Sequence, residues 1–275
     1  MPRRPNPFFR GPRRPSAPQR PAGRSDAPAD PALEFPALEL GTPFRFDAAL
    51  ARRLVRRDVN PKEAFTVRDA SGVFYRASVK ELGADGGLAV PYERCPVSPE
   101  PVIEVTLACA VLARQRMLFV AQKATELGVA RIVPLLTEFS VPADGLEHEK
   151  AHGWPGQVVR AAKQCRRSSL PELTPPMTLD AFLASPSAAA DLSLCLDNVG
   201  APAAVPAEGP RRILLLVGPE GGFSDAERKK LEGRALPWSL GGRVLRAETA
   251  VLVGLAAVHL NWGDFRGQGR RHPPA

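Results

Sequence analysis

The chain has 275 residues, enough for one large domain or two smaller ones, and a formal charge of +8. No apolar run approaches the roughly 18 residues of a membrane span. Four scattered cysteines without a CxxC pair exclude a disulfide framework and suit a reducing compartment.

Seven arginines and no acid fall within residues 1–25, which leaves only +1 of the +8 for the rest of the chain. A nucleic-acid reading of the body must therefore rest on local clusters, not on overall charge. Residues 1–42 carry ten prolines by Pro36 and too little apolar surface to offset their ordering entropy, so a disordered arm is expected. It is either a basic arm that touches RNA or a solvated tail. It lacks the apolar core of a secretory signal, and its prolines forbid the amphipathic helix of a transit peptide, so a cytoplasmic location is expected. Residues 43–95 change texture. A short helix is expected over 44–57, then strands over 64–69 and 73–82 with Ala70-Ser71-Gly72 turning between them, and LAV at 88–90. This describes a small β-rich domain. From 101 to 265 strands and helices alternate: strands at 102–112, 131–136, 192–197, 212–218 and 238–242, and helices at 114–127, 158–169, 225–234 and 248–259. Such alternation implies a parallel α/β sheet. A tail of 266–275 follows.

Two loops carry the chemistry. In LLLVGPEGGFSDAE (214–227) a buried strand ends in a glycine turn and runs into a capping box, with Ser224 at the N-cap and Glu227 three residues on. The turn has neither GxGxxG nor GxxxxGK[ST], and Glu220 stands where it would repel a phosphate. In LGGRVLRAETA (240–250) glycines, two arginines and a glutamate separate a strand from an apolar helix. Burying Arg246 or Glu248 there without a partner would be expensive.

These blocks, with QKATELGVARIVPL (122–135) upstream, resemble the three signature blocks of the RsmE family, bacterial 16S rRNA uracil-N3 methyltransferases of the SPOUT class. The likeness covers about 44–260, and the small domain before the blocks is similar to that family's PUA-like RNA-binding domain. It implies an α/β SPOUT fold whose C-terminal part forms a trefoil knot, a homodimer, S-adenosyl-L-methionine as cofactor, no metal, and 16S rRNA or the small ribosomal subunit as partner. Carried over by motif, Gly218, Glu220, Gly221 and Gly222 form one wall of the cofactor site. Leu240, Gly241, Val244 and Leu245 form the other, with Leu196 ending a neighbouring strand and Ala250 in the following helix. A sulfonium, unlike a phosphate, tolerates the nearby Glu220. Lys163 and Arg166 depart from the family's usual glutamate and glycine.

Uracil N3 carries a proton at neutral pH, so a base or a stabiliser of the uracil anion is needed. Arg246 is the candidate stabiliser, and Glu248 either orients Arg246 or acts as the base. The candidates for binding RNA are Arg52, Arg53, Arg56 and Arg57 on one helix, Arg76 beside Phe74 and Tyr75, Lys123, and Arg167 in a second basic cluster with Arg160, Lys163 and Arg166. Each basic run is otherwise an ordinary solvated face. Lys123 either pairs with Glu126 or reaches RNA. A non-catalytic rRNA-binding assembly factor of the same fold is the alternative. A more remote one is a zinc hydrolase, because His148-Glu149-Lys150-Ala151-His152 spells HExxH. Gly153 and Pro155 argue against the long helix that motif needs.

Overall fold

The computed structural model describes residues 29–113, 115–148, 151–197 and 209–266. The seven arginines of the arm, the tail after residue 266 and the Glu149-Lys150 centre of HExxH lie outside the described residues.

The N-terminal domain is built from β1 (Glu34–Phe35), β2 (Phe44–Asp47), α1 (Ala48–Arg56), β3 (Ala64–Asp69), β4 (Phe74–Gly83) and β5 (Gly86–Arg94). Its sheet has the order β1-β3-β4-β5-β2. The helix expected over 44–57 gives up its first four residues to a strand. Phe44 and Phe46 alternate inward and pair antiparallel with β5, and α1 starts only where the Asp47 carboxylate accepts from Leu50 N at 2.8 Å. Leu50, Ala51 and Leu54 then bury against the sheet's phenylalanines and valines. β5 runs well past LAV because Pro91 sits opposite a register shift between Arg76 and Ala77, where the irregular ladder accommodates a residue without an N–H.

The second domain comprises β6 (Glu104–Ala110), α2 (Arg116–Glu126), β7 (Arg131–Leu136), α3 (Trp154–Gln164), β8 (Glu172–Leu173), β9 (Met177–Thr178) and α4 (Leu179–Leu183). It continues through β10 (Leu192–Leu196), β11 (Arg212–Val217), α5 (Asp225–Leu231), β12 (Leu236–Trp238) and α6 (Ala247–Asn261). Its sheet is parallel, in the order β12-β10-β11-β6-β7-β8, with β9 also on β7. The runs EVTLACA and RILLLV bury both faces, as a parallel sheet between helices requires. Leu107, Ile213 and Leu215 pack with Met117, Trp154, Val251 and Leu255 from α2, α3 and α6. Ala108, Leu214 and Leu216 pack with Phe182, Phe223 and Leu231 on the other face. Helix α2 ends where Gly128 turns left-handed, at φ +84°. Helix α3 begins four residues before its expected start, with Pro155 in its first turn, a position that needs no N–H.

The two domains meet mainly through hydrogen bonds, together with the Lys163–Glu63 ion pair, and here the expected boundary of the arm is corrected. Asp30 forms an antiparallel bridge with Leu170, Leu33 is fully buried, and β1 adds a parallel strand to β3. The Asp30 carboxylate accepts from Arg53 Nε at 2.7 Å and from Arg57 Nε at 2.8 Å. Arg57 also donates to Pro31 O at 2.7 Å and to the carbonyl of Ser168. Nearby, Arg167 donates to Val129 O at 2.8 Å and pairs with Glu100, whose other oxygen accepts from the amides of Ser168 and Ser169. Residues 29–42 therefore belong to the fold, because a few apolar side chains and one well-placed acid outweigh the prolines around them.

Candidate active site

Three neighbouring parallel strands end at one place. Leu196 closes β10, Val217 closes β11 and Trp238 closes β12, and all three line a cleft of about 230 Å³. The carboxyl ends of parallel strands are where open α/β sheets bind ligands. Gly218 to Phe223 form one wall, and Leu240, Val244, Leu245, Ala247 and Ala250 the other. The glycine wall is a tight turn in which Gly222 N donates to Pro219 O at 2.9 Å and Gly222 adopts φ +74°. A Cβ on Gly218 would stand 3.2 Å from the Gly222 backbone, tight enough that the turn would have to give by a few tenths of an ångström to admit it. The capping box then launches α5, with Ser224 N donating to Glu227 Oε2 at 2.9 Å. The remaining oxygen of buried Glu227 accepts from Glu138 N at 2.9 Å, which ties the loop after β7 to the same turn. At the opposite wall, Gly254 lets α6 approach the sheet: a Cβ there would lie 2.7 Å from Leu196 Cδ1 and 3.2 Å from Leu215 Cδ2.

Of the ten residues expected to hold the cofactor, nine line this cleft: Leu196, Gly218, Glu220, Gly221, Gly222, Leu240, Val244, Leu245 and Ala250. Gly241 stands in the second loop outside the lining, at φ +117°. Sequence reading missed Asp197 and Arg228, an ion pair in the lining of the cleft, and Trp238, the aromatic at the end of β12. Asp197 had a signal, an acid at the carboxyl end of a buried strand. Arg228 was hidden among the basic residues of α5.

The charged edge differs from expectation. Arg246 is the N-cap residue of α6 and is exposed, with no bond to Glu248 among the described residues. The cation near Glu248 is Arg116, the first residue of α2, whose Nε lies 3.9 Å from Glu248 Oε1 and whose Nη1 binds Glu220. Glu248 Oε2 is buried without a partner among the described residues. Beneath them Cys109 is fully buried, and burial, followed by the charges of Glu220 and Glu248, pushes its thiol up to about 12.

Three arginines expected to face RNA are turned inward. Arg57 is 5 % exposed and its guanidinium is fully engaged at the domain junction. Arg76, also buried, donates to Thr66 Oγ1 at 2.8 Å, and Arg167 is held by backbone carbonyls and Glu100. Arg52 and Arg56 remain exposed, and Arg53 is partly so. Lys123 pairs with Glu126 at 2.7 Å. Lys163, one of the departures from the resembled pattern, bonds Asp58 O and Glu63 Oε2, each at 2.7 Å, and braces α3 against the N-terminal domain. His148 lies in a turn and His152 in a single 3-10 turn (Ala151–Gly153), so the two are not on one α-helix. Among the described residues no cluster of three His, Cys, Asp or Glu side chains is placed to hold a metal.

Comparison with known proteins agrees with the geometry. The family model described as an RNA methyltransferase domain matches residues 98–259, more than half the chain. The ribosomal RNA small subunit methyltransferase E of Synechocystis is 32 % identical over 203 residues, which cover 72 % of this chain and 66 % of that protein, just under two thirds of its length. A Legionella pneumophila methyltransferase structure holding the cofactor SAM superposes with a TM-score of 0.61 at 31 % identity, over 84 % of this chain and 98 % of that one. The ribosomal RNA small subunit methyltransferase E of Neisseria gonorrhoeae, bound to S-adenosyl methionine, does so with 0.60 at 27 % identity, over 86 % and 99 %. With a cleft at the strand ends and a family match that spans it, this chain belongs to the RNA methyltransferase domain family.

Proposed function

We propose that the protein methylates N3 of one uridine in 16S rRNA, with S-adenosyl-L-methionine as methyl donor. The observation that carries the reading is the cleft at the ends of β10, β11 and β12, walled by two glycine loops without a phosphate signature. The residues present fit such a cofactor. Leu196, Trp238, Leu240, Leu245 and Ala250 offer apolar contact, close backbone approach is possible at the glycine turn, and Glu220 is compatible with a sulfonium. When bound, the cofactor supplies an activated methyl group and leaves as S-adenosylhomocysteine.

Methyl transfer is an in-line displacement, in which the N3–C bond forms as the S–C bond breaks, so most of the protein's task is positioning. The N3 proton must leave. Glu248, with a buried and unpartnered oxygen, is the acceptor. Arg246, exposed and uncommitted at the head of α6, stabilises the negative charge that develops on the flanking carbonyl oxygens. In this reading the N-terminal domain is PUA-like and grips the RNA backbone through exposed Arg52 and Arg56. The C-terminal part of the second domain is threaded as a trefoil knot. A second copy covers the apolar stripe of α6, where Val253 and Leu260 are 41 % and 57 % exposed. The protein works in the cytoplasm.

Mass spectrometry of nucleosides from small-subunit rRNA, with and without the protein, tests the assignment. A single new 3-methyluridine is expected. Methylation of a ribose 2′-hydroxyl or of tRNA would overturn the base assignment, and tight RNA binding without any methylation would favour an assembly factor.

A further inference from the structure

The loop after β7 carries an aromatic ring to the rim of the cleft. Thr137 to Ser140 form a tight turn, in which Ser140 N donates to Thr137 O at 3.2 Å and Thr137 N donates to Ser140 Oγ at 2.9 Å. One residue on, Val141 N donates to Val111 O at 3.1 Å and ties the turn to the end of β6. Glu138 N is the amide held by Glu227, so this turn and the glycine turn are fixed to one another. At the tip stands Phe139, 51 % exposed. A Cβ added to Gly221 would stand 3.0 Å from Phe139 Cβ and 3.2 Å from its Cγ. The side chain that Gly221 lacks therefore makes room for Phe139, while Gly221 itself lines the cleft. Phe139 stands beside the cleft and is not part of its lining.

We infer that Phe139 is the platform on which the base of the target uridine stacks while its N3 is methylated. The inference rests on the uracil-N3 reading above. N3 lies on the Watson–Crick edge, so the methyl group reaches it only after the base has left its pair and its stack, and that loss must be offset. An aromatic ring offers the extruded base a new stacking face. Because Phe139 sits on a hydrogen-bonded turn, little of that gain is spent on ordering the loop. The charges around it suit a neutral base better than a phosphate. Exposed Glu138 precedes the ring, and Arg116 and Arg228, which bond to the glycine turn, are each committed to a carboxylate. Other exposed rings lack this placement. Tyr92 stands on β5 in the N-terminal domain, and Phe265 packs against His259 with ring centroids 5.2 Å apart.

The test uses the full chain loaded with S-adenosylhomocysteine, which cannot donate a methyl group, and two small-subunit rRNA fragments. One contains the methylated uridine, and in the other that nucleotide is abasic. Phe139→Ala is expected to weaken binding of the intact fragment about 5- to 150-fold, the loss of one base–aromatic stack. Phe139→Leu weakens it nearly as much, and Phe139→Tyr restores it. The abasic fragment binds equally to wild type and Phe139→Ala, since each pair lacks the stack. S-adenosylmethionine affinity by calorimetry and Tm stay unchanged in all three variants. Unaltered affinity of Phe139→Ala for the intact fragment overturns the inference, as does full restoration by Phe139→Leu, or a loss that persists on the abasic fragment. A Phe139→Ala dimer that falls apart in light scattering while RNA affinity is kept assigns the ring to a second copy of the chain and also overturns it. Should Phe139→Ala fail to fold, Phe139→Leu against Phe139→Tyr decides the same question. A wild type that makes no 3-methyluridine fails at the function itself, whereas one that makes it and binds RNA no better than Phe139→Ala fails only at Phe139.

Discussion

Glu248 and Arg246 are two residues apart yet meet different surroundings, because a helix turns about 100° per residue and α6 begins between them. Arg246 stays in solvent at the cap, while Glu248 turns toward α2 and its arginine. The sequence leaves Glu248 either to orient Arg246 or to act as the base, and the onset of the helix is what separates the two side chains. If Arg246 stabilises the uracil anion, Arg246→Ala should lower kcat by two to three decades, about 3–4 kcal/mol, with little change in cofactor affinity. Single-turnover methylation alongside calorimetry reads both quantities, and an equal loss in each would demote Arg246 to a cofactor contact. The glycine turn makes a second residue-scale demand. Gly222 is left-handed, and a Cβ on it would stand 3.2 Å from Arg228 Nη2. Gly222→Ala is expected to cost about 1–2 kcal/mol in backbone strain. It should also disturb the Arg228–Asp197 pair that lines the cleft, so cofactor affinity falls along with thermal stability.

At the scale of elements, the strands most legible in the sequence were those with an unbroken apolar run or strict alternation: β3 fell on its expected residues and β11 within one of them. What escaped were pieces whose existence depends on a partner. The two-residue strands β8 and β9 exist because β7 offers them an edge, and β1 because β3 does. No periodicity can be read from two residues. The cleft-lining residues divide in the same way. Glycine turns and a capping box are local signals, so one wall was visible, whereas Asp197, Arg228 and Arg116 join the site only through contacts across the fold. Helix α6 illustrates how an element reaches the site from behind. A Cβ on Gly254 would lie 2.7 Å from Leu196 Cδ1, and Leu196 itself lines the cleft. Gly254→Val should overpack that contact at a cost of about 1–3 kcal/mol and push Leu196 toward the cofactor space. Reduced S-adenosylmethionine affinity by calorimetry, beyond the loss seen in a denaturation curve, is the expected signature. Unchanged affinity would mean that α6 gives way instead of Leu196.

For the whole molecule the decisive contact is the junction at Asp30. Burial pushes its carboxyl up, but the hydrogen bonds and charge of Arg57, and then of Arg53, outweigh this and hold it below the usual aspartate range. A carboxyl depressed by folding contributes stability that is complete above its unfolded value, about 3.9, and fades as pH falls through the lower folded value. Asp30→Asn should therefore lower stability at neutral pH and leave less to lose in acid, as denaturant melts at both pH values will read. Removing Asp30 altogether strands the buried Arg57 charge, a loss of about 3–5 kcal/mol. That sets where the arm can be cut. Deleting residues 1–28 removes all seven arginines and none of the junction, so folding and cofactor binding should survive. If those arginines contact duplex phosphates, the log–log salt dependence of RNA binding should flatten by about 6. Deleting residues 1–40 also removes Asp30, fully buried Leu33 and β1, and should destabilise the N-terminal domain and its seat on Ser168. A comparison of the two truncations by thermal melting and RNA titration separates the arm's contribution to binding from its root's contribution to the fold. Equal stability of the two would show that the root is dispensable, and an unchanged salt slope in the shorter deletion would make the arginines bystanders.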